Sequence, residues 1–163
     1  MKSFSLAAMS PLIRGLTILL LTIPVVFLGA MTFSGAYFLA LPALLLLVIY
    51  AWVWLRFRPH TFVVYPNAIE VLWPLKRRRI PRDEITAVRL VDGEELTREI
   101  GWGTRVGAGG LWGGFGWLWT RRRGIVQMYI SRTDGYVWIE RGQKRPWLLT
   151  PAQPDDFVRA LRE

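Results

Sequence analysis

Residues Gly15 to Leu55 read GLTILLLTIPVVFLGAMTFSGAYFLALPALLLLVIYAWVWL, 41 residues without an Asp, Glu, Lys, Arg or His. A helix crosses the hydrocarbon core of a bilayer in about 20 apolar residues. The run is therefore long enough for two spans and a tight turn. Thr32-Phe33-Ser34-Gly35-Ala36 is where Ser and Gly interrupt it. Spans are predicted over about 12–33 and 36–57. Tyr37 and Phe38 fall near one expected interface, and Tyr50, Trp52 and Trp54 near the other, the depths that amphipathic rings favour. Pro24 and Pro42 lie inside the spans, where a mild kink is tolerated. A secretory signal would have a single apolar region of about 7–15 residues; this one is longer and a second follows at once. Neither span holds an ionisable residue, which argues for an anchor and against a proton relay or ion pathway, unless oligomers line a polar path with Thr17, Thr22 or Ser34.

The flanks set an orientation. Lys2 and Arg14 precede the first span, and Arg56 and Arg58 follow the second, with Lys76, Arg77, Arg78 and Arg79 a little further on. The connecting turn is uncharged. An excess of Lys and Arg marks the cytoplasmic side, so both termini are expected in the cytoplasm. The whole chain has 163 residues, is 52% hydrophobic and 20% charged, and has no cysteine. That composition excludes a disordered chain. The missing cysteines exclude disulfides, thiolate metal sites and cysteine nucleophiles.

Beyond Arg56 the pattern changes to short β-branched and aromatic runs separated by turn residues. Thr61–Tyr65 and Ala68–Trp73 flank Pro66-Asn67, a hairpin signal. Ile80 with Glu84–Val91, a weaker run Thr97–Val106, Ile125–Ile130, Tyr136–Ile139 and Pro146–Leu149 follow, ending at Asp92-Gly93, Asp134-Gly135 and Arg141-Gly142 where turns are signalled. About seven strands with regular turns predict a small barrel or sandwich. The last segment reads as a helix. Pro154 suits its first position, Asp155 and Asp156 its first turn, and Arg159 and Arg162 its end. Phe157, Val158 and Leu161 share one face.

In this arrangement the chain resembles bacterial pleckstrin-homology-like domain proteins, often preceded by two spans. Ile69-Glu70-Val71, Trp73-Pro74-Leu75, Ile80, Glu84-Ile85 and Val88 resemble the family's opening strands. Gly113-Gly114-Phe115-Gly116 resembles its central loop, and Leu149-Thr150-Pro151, Gln153-Pro154-Asp155, Phe157 and Leu161 its closing motif. Thr150 and Gln153 depart from the usual Ser and Asp. The resemblance implies a membrane-anchored α+β chain. Residues 1–57 are then expected to form a transmembrane hairpin in a bacterial inner membrane, and 58–163 a cytoplasmic seven-stranded antiparallel barrel with a C-terminal helix. It implies no particular ligand.

Two groups of residues are candidates for contact. Arg56, Arg58, Lys76, Arg77, Arg78, Arg79, Arg82, Arg121, Arg122 and Arg123 are basic groups near expected turns. Anionic lipid attracts such groups at about 1 kcal/mol per charge; ordinary solvated charge is the alternative. Gly101 to Gly116 holds eight glycines in sixteen residues, with Trp102, Trp112, Phe115, Trp117 and Trp119 in or beside it. It reads as a long loop between strands, as a loop dipping into the bilayer interface or meeting a partner, or as a small-ligand cradle. Neither glycine phosphate-binding fingerprint is present. From Arg56 onward the net charge is +7, which a nearby anionic membrane accounts for without nucleic acid. His60 is alone, and Asp83-Glu84 and Glu94-Glu95 fall at a strand start and a turn. No catalytic constellation, metal set or cofactor is expected. The expected role is a non-catalytic binding or scaffold module that meets the bilayer, a protein partner or a second copy. An accessory subunit of a membrane transport or envelope-processing complex is the alternative.

Overall fold

The computed structural model describes residues 1–163. Two helices, α1 (Pro11–Ser34) and α2 (Ala40–Arg56), occupy the uncharged run and are long and apolar enough to cross a membrane. Pro11 opens α1, where its missing N–H has no partner to lose. Gly35 ends it at φ 67, its N–H donating to the Met31 carbonyl at 3.0 Å. That left-handed turn is open to glycine at little strain. A single 3₁₀ turn, Tyr37–Leu39, leads into α2. The Tyr50 hydroxyl donates to the Leu20 carbonyl at 2.8 Å and pins the two helices together. Most of their side chains face outward.

The remaining chain forms two sheets. The first holds β1 (Lys2–Ser5), β2 (Thr61–Val64), β3 (Ala68–Leu72) and β4 (Arg77–Pro81), antiparallel in that order. The second holds β5 (Ala87–Val91), β6 (Gly103–Gly109), β7 (Gly114–Thr120), β8 (Gly124–Ile130), β9 (Tyr136–Arg141) and β10 (Lys144–Leu149), in the order β5-β9-β10-β8-β7-β6. Two shorter helices, α3 (Gly93–Ile100) and α4 (Pro154–Arg162), complete the fold.

The sheets enclose the main core, which includes Phe62, Val71, Phe115, Val137, Trp147 and Leu149. α4 closes one end with Phe157, fully buried between Phe4 and Phe62 at ring-centroid distances of 5.2 and 6.0 Å. Side chains alternate across a strand, so the second sheet presents a further apolar set on its outer face. Leu118, Val126, Met128, Trp138 and Leu148 lie there, covered by Leu96 and Ile100 of α3.

Several expectations are corrected. Ten strands are present where seven were expected, and they form two sheets instead of a closed barrel. β8 and β10 run parallel, so the strands are not all antiparallel. β1 precedes the helices and pairs with β2 from Lys2↔Val64 to Ser5↔Thr61. The expected strand over Glu84–Val91 begins only at Ala87, because Arg82–Glu84 makes a 3₁₀ turn. The weak run Thr97–Val106 divides into the end of α3 and the start of β6. Asp92 caps α3 by accepting the Glu95 N–H at 2.7 Å, and Glu94 and Glu95 favour its positive N-terminal end. Arg77, Arg78 and Arg79 lie in β4, not in a turn.

The glycine-rich stretch is a hairpin, not a loop. β6 and β7 pair from Gly103↔Thr120 to Gly109↔Gly114. Gly107 and Gly116 face each other at φ 135 and 131, and a Cβ there would lie 2.4 and 2.6 Å from facing carbonyl oxygens. Glycine at both positions lets the two backbones approach closely and the hairpin coil.

Candidate functional site

Both connections between helices and sheets are short and hydrogen-bonded. Before α1, the Ala7 N–H donates to the Thr150 carbonyl at 2.9 Å, and the Ser131 hydroxyl donates to the Ala7 carbonyl at 2.6 Å. After α2, the Trp73 indole N–H donates to the Phe57 carbonyl at 3.0 Å. The His60 N–H donates to the Leu72 carbonyl at 2.9 Å, and its own carbonyl accepts from Leu6 at 3.1 Å. The lone histidine is thus a junction residue between β1 and β3. Backbone bonds of this kind fix the sheets relative to the helix ends and leave no free linker.

A third tie comes from the β6–β7 tip. The Thr17 hydroxyl, on α1, accepts the Trp112 N–H at 2.9 Å and lies 3.1 Å from the Gly110 carbonyl. Trp112 packs edge-on against Trp54 of α2 at 4.8 Å between centroids. The tip therefore lies alongside both helices, about one turn past Arg14, the last charge before the apolar run.

Basic side chains surround the end of α2. Arg56 lies 5.3 Å from the Trp52 ring centroid, Arg58 4.3 Å from Trp54, and Lys76 4.4 Å from Trp73. Such stacking holds a cation on an aromatic face. On β4 the alternation puts Arg78 on the same inward face as buried Ile80, and its guanidinium lies 5.0 Å from the Trp147 ring. Arg56, Lys76 and Arg78 converge on a cleft of about 240 Å³ whose other walls include Trp52, Trp117 and Tyr129. No carboxylate lines the cleft, and none of the three cations makes an ion pair. Burial holds the Lys76 ammonium below the usual lysine value, and Arg56 and Arg78 add like-charge repulsion. Burial alone lowers Arg58. Burial also pushes the Tyr129 phenol up to about 12, with Arg78 opposing.

The other candidates lie elsewhere. Arg77 points to solvent on β4. Arg79 donates to the Asn67 side chain at 3.0 Å, and Arg82 to the Leu161 carbonyl at the end of α4 at 2.6 Å. Arg121, Arg122 and Arg123 form the β7–β8 turn, at the end of β7 away from the tip that meets α1. Six residues of strand put them roughly 20 Å from that tip. There Arg122 donates to the Arg98 carbonyl at 2.5 Å, and Arg123 pairs with Glu99. Of the aromatic group, Phe115 is core, Trp112 is docked on Trp54, and Trp117 lines the cleft. Trp102 and Trp119 are exposed near the far end of the hairpin.

Sequence reasoning did not single out Gln127 or Tyr129. Gln127 carried a signal, as the one polar residue inside the run Ile125–Ile130; its side-chain amide donates to the Gly116 carbonyl at 2.6 Å. The carboxylates are structural. Glu84 pairs with Arg141 and Lys144, Glu95 with Arg89. No three His, Cys, Asp or Glu side chains gather as a metal set would.

Two facing sheets capped by a C-terminal helix, carried behind two apolar helices, define a PH-like domain with a helical hairpin in front. Residues 60–163 match the family model of the bacterial PH domain, and the chain belongs to that family. PH domains are generally non-catalytic binding modules for lipids or proteins. Neither a curated protein nor a solved structure matches the chain.

Proposed function

We propose that this chain is a membrane-tethered binding module that works on an anionic bilayer surface. The helices cross the bacterial inner membrane as a hairpin with both termini in the cytoplasm, and the PH-like domain rests on the cytoplasmic leaflet. The observation that carries this reading is the ring of unpaired cations on aromatic faces where α2 ends: Arg56 on Trp52, Arg58 on Trp54, Lys76 on Trp73. Aromatic rings favour the interfacial layer, and each Lys or Arg near an anionic surface gains about 1 kcal/mol. The three backbone and side-chain ties to the helices hold that face toward the bilayer.

The test uses the full chain, because β1 comes from ahead of the helices. In bilayers containing phosphatidylglycerol, amide exchange at β4 and the Pro74–Lys76 turn slows relative to phosphatidylcholine bilayers, and high salt removes the difference. Equal exchange in both lipids ends the surface reading. The cysteine-free chain also allows topology to be read from single cysteines. Ser34→Cys labels with an impermeant maleimide in intact cells, and Gln143→Cys only after permeabilisation.

A protein partner is the second reading, favoured by β6. This seven-residue strand ends its sheet, and its outer backbone groups pair with no other strand. Such an edge accepts a strand from another chain. Arg105→Pro on that edge abolishes partner recovery from crosslinked membranes if the edge is used.

A further inference from the structure

The cleft between α2 and the second sheet gathers positive charge with no counter-charge in its walls. Three cations from three separate elements point into one space: Arg56 from the end of α2, Lys76 from the turn before β4, and Arg78 from β4 itself. Charges of one sign brought together without a counter-charge repel, and the cost rises as water is excluded. The ion-pair network elsewhere shows that this chain supplies carboxylates where it pairs its cations. Arg89 and Arg123 share Glu99, and Arg141 and Lys144 share Glu84. At the cleft it supplies none.

The remaining walls fix the kind of anion. The volume, about 240 Å³, lies below the roughly 300–1,000 Å³ of a site for a drug-sized ligand. It suits a small polar group. Trp52 of α2 and Trp117 of β7 both line it and are about half exposed, and α2 continues from the rim as an exposed aliphatic surface through Val48, Leu45 and Leu41. A ligand with a phosphate at one end and an apolar chain at the other therefore meets cations, then aromatic rings, then aliphatic side chains. Trp52, Arg56 and Phe57 precede the residues matched to the bacterial PH domain, so this cleft belongs to the helix–domain junction of this chain.

We propose that the cleft binds the phosphodiester headgroup of one anionic phospholipid, held by Arg56, Lys76 and Arg78, with its acyl chains along α2. This deepens the surface reading above and rests on it. The bound lipid is a ligand at a fixed position, distinct from the diffuse attraction of the basic face.

The test titrates the purified full chain, in a non-ionic detergent, with phosphatidylglycerol, phosphatidylcholine or inorganic phosphate, and counts bound ligands by native mass spectrometry. One phosphatidylglycerol is expected to saturate the chain. Arg56→Gln/Lys76→Gln weakens it about tenfold or more. Arg121→Gln/Arg145→Gln removes the same charge from the far end of the domain and leaves binding unchanged. Equal weakening by both double variants overturns the site and leaves the surface reading standing. Equal retention of phosphatidylcholine overturns the preference for an anion, and equal binding of inorganic phosphate overturns the lipid as its source. No retained lipid overturns the site outright. Loss of the salt-sensitive exchange difference in bilayers overturns the surface reading itself, whichever result the titration gives. Unfolding temperatures of both variants within about 2 °C of the parent chain exclude a folding defect.

Discussion

The backbone N–H of Trp112 donates to the hydroxyl of Thr17 at 2.9 Å across 95 residues of sequence. The same hydroxyl lies 2.8 Å from the Ile13 carbonyl and 3.1 Å from the Gly110 carbonyl, so its single proton is shared between helix and hairpin. Thr17 is 3% exposed. A polar group this buried is costly unless satisfied, and here the satisfaction joins an apolar helix to the glycine hairpin. Thr17→Val keeps the shape and removes the acceptor. The expected loss is about 1–3 kcal/mol, the cost of stranding a buried donor. Thermal unfolding of the full chain in detergent measures it, and faster exchange of the Trp112 amide locates it. Thr17→Ser keeps most of the stability; equal losses in both variants contradict the clamp.

The hairpin reaches α1 because Gly107 and Gly116 let it coil. Gly116→Ala places a methyl 2.6 Å from the Val106 carbonyl oxygen, against backbone that cannot swing away. Gly124→Ala is the control. Its φ of 64 is the milder left-handed conformation and the space around it is open, so it costs only the left-handed strain of about 1–2 kcal/mol, whereas Gly116 combines a φ of 131 with the close approach. Gly116→Ala is expected to lose clearly more in thermal unfolding. Equal losses reject the close approach as the reason for glycine at 116.

The helices were legible in sequence because 41 uncharged residues admit few other readings. α4 was legible because the proline at its first position, the dipole and the face agreed, and Phe157, Val158 and Leu161 are all buried. α3 was not. Its eight residues offer only Leu96 and Ile100 as an apolar face, too little for a period to show, and its capping Asp92 reads equally as a turn. β1 was hidden for a different reason. Its partner lies beyond the whole helical hairpin, and nothing in Lys2–Ser5 announces a pairing at that distance. The glycines of Gly101–Gly116 concealed the hairpin because glycine is scarce in ordinary strands. At the site, charge was legible and convergence was not. Arg56, Lys76 and Arg78 meet only through the pairing of β4 with β3 and the angle at which α2 ends, while the equally basic Arg121–Arg123 is carried to the opposite end of β7.

Glu84 makes the stability depend on pH. Hydrogen bonds from Lys144 and Arg141 hold its carboxyl below the usual glutamate value. A lowered folded-state value means that the stabilisation is fully present above the unfolded value, about 4.3. It is lost as the pH falls through the lowered folded value. Glu84→Gln is therefore expected to lower the unfolding temperature at pH 7 and to differ progressively less from the parent chain below about pH 4. A gap that stays constant down to pH 2 rejects the carboxylate as its cause.

Phe4 and Phe157 test whether the four-residue strand β1 stabilises the domain. Their rings meet edge-on at 5.2 Å, Phe157 fully buried and Phe4 nearly so. Phe157→Ala is expected to cost about 3–5 kcal/mol, since it empties the space between α4 and the first sheet. Phe4→Ala costs less if β1 frays, and as much if β1 is an integral strand. The double variant separates these cases. Rings packed in this way couple by about 0.5–1.5 kcal/mol beyond their burial, so the double loss should fall short of the sum of the single losses by that amount. Strict additivity, with Phe4→Ala below about 0.5 kcal/mol, places β1 outside the cooperative core. The predicted coupling instead makes β1 part of the domain's cooperative unit, although both apolar helices lie between β1 and β2 in the chain.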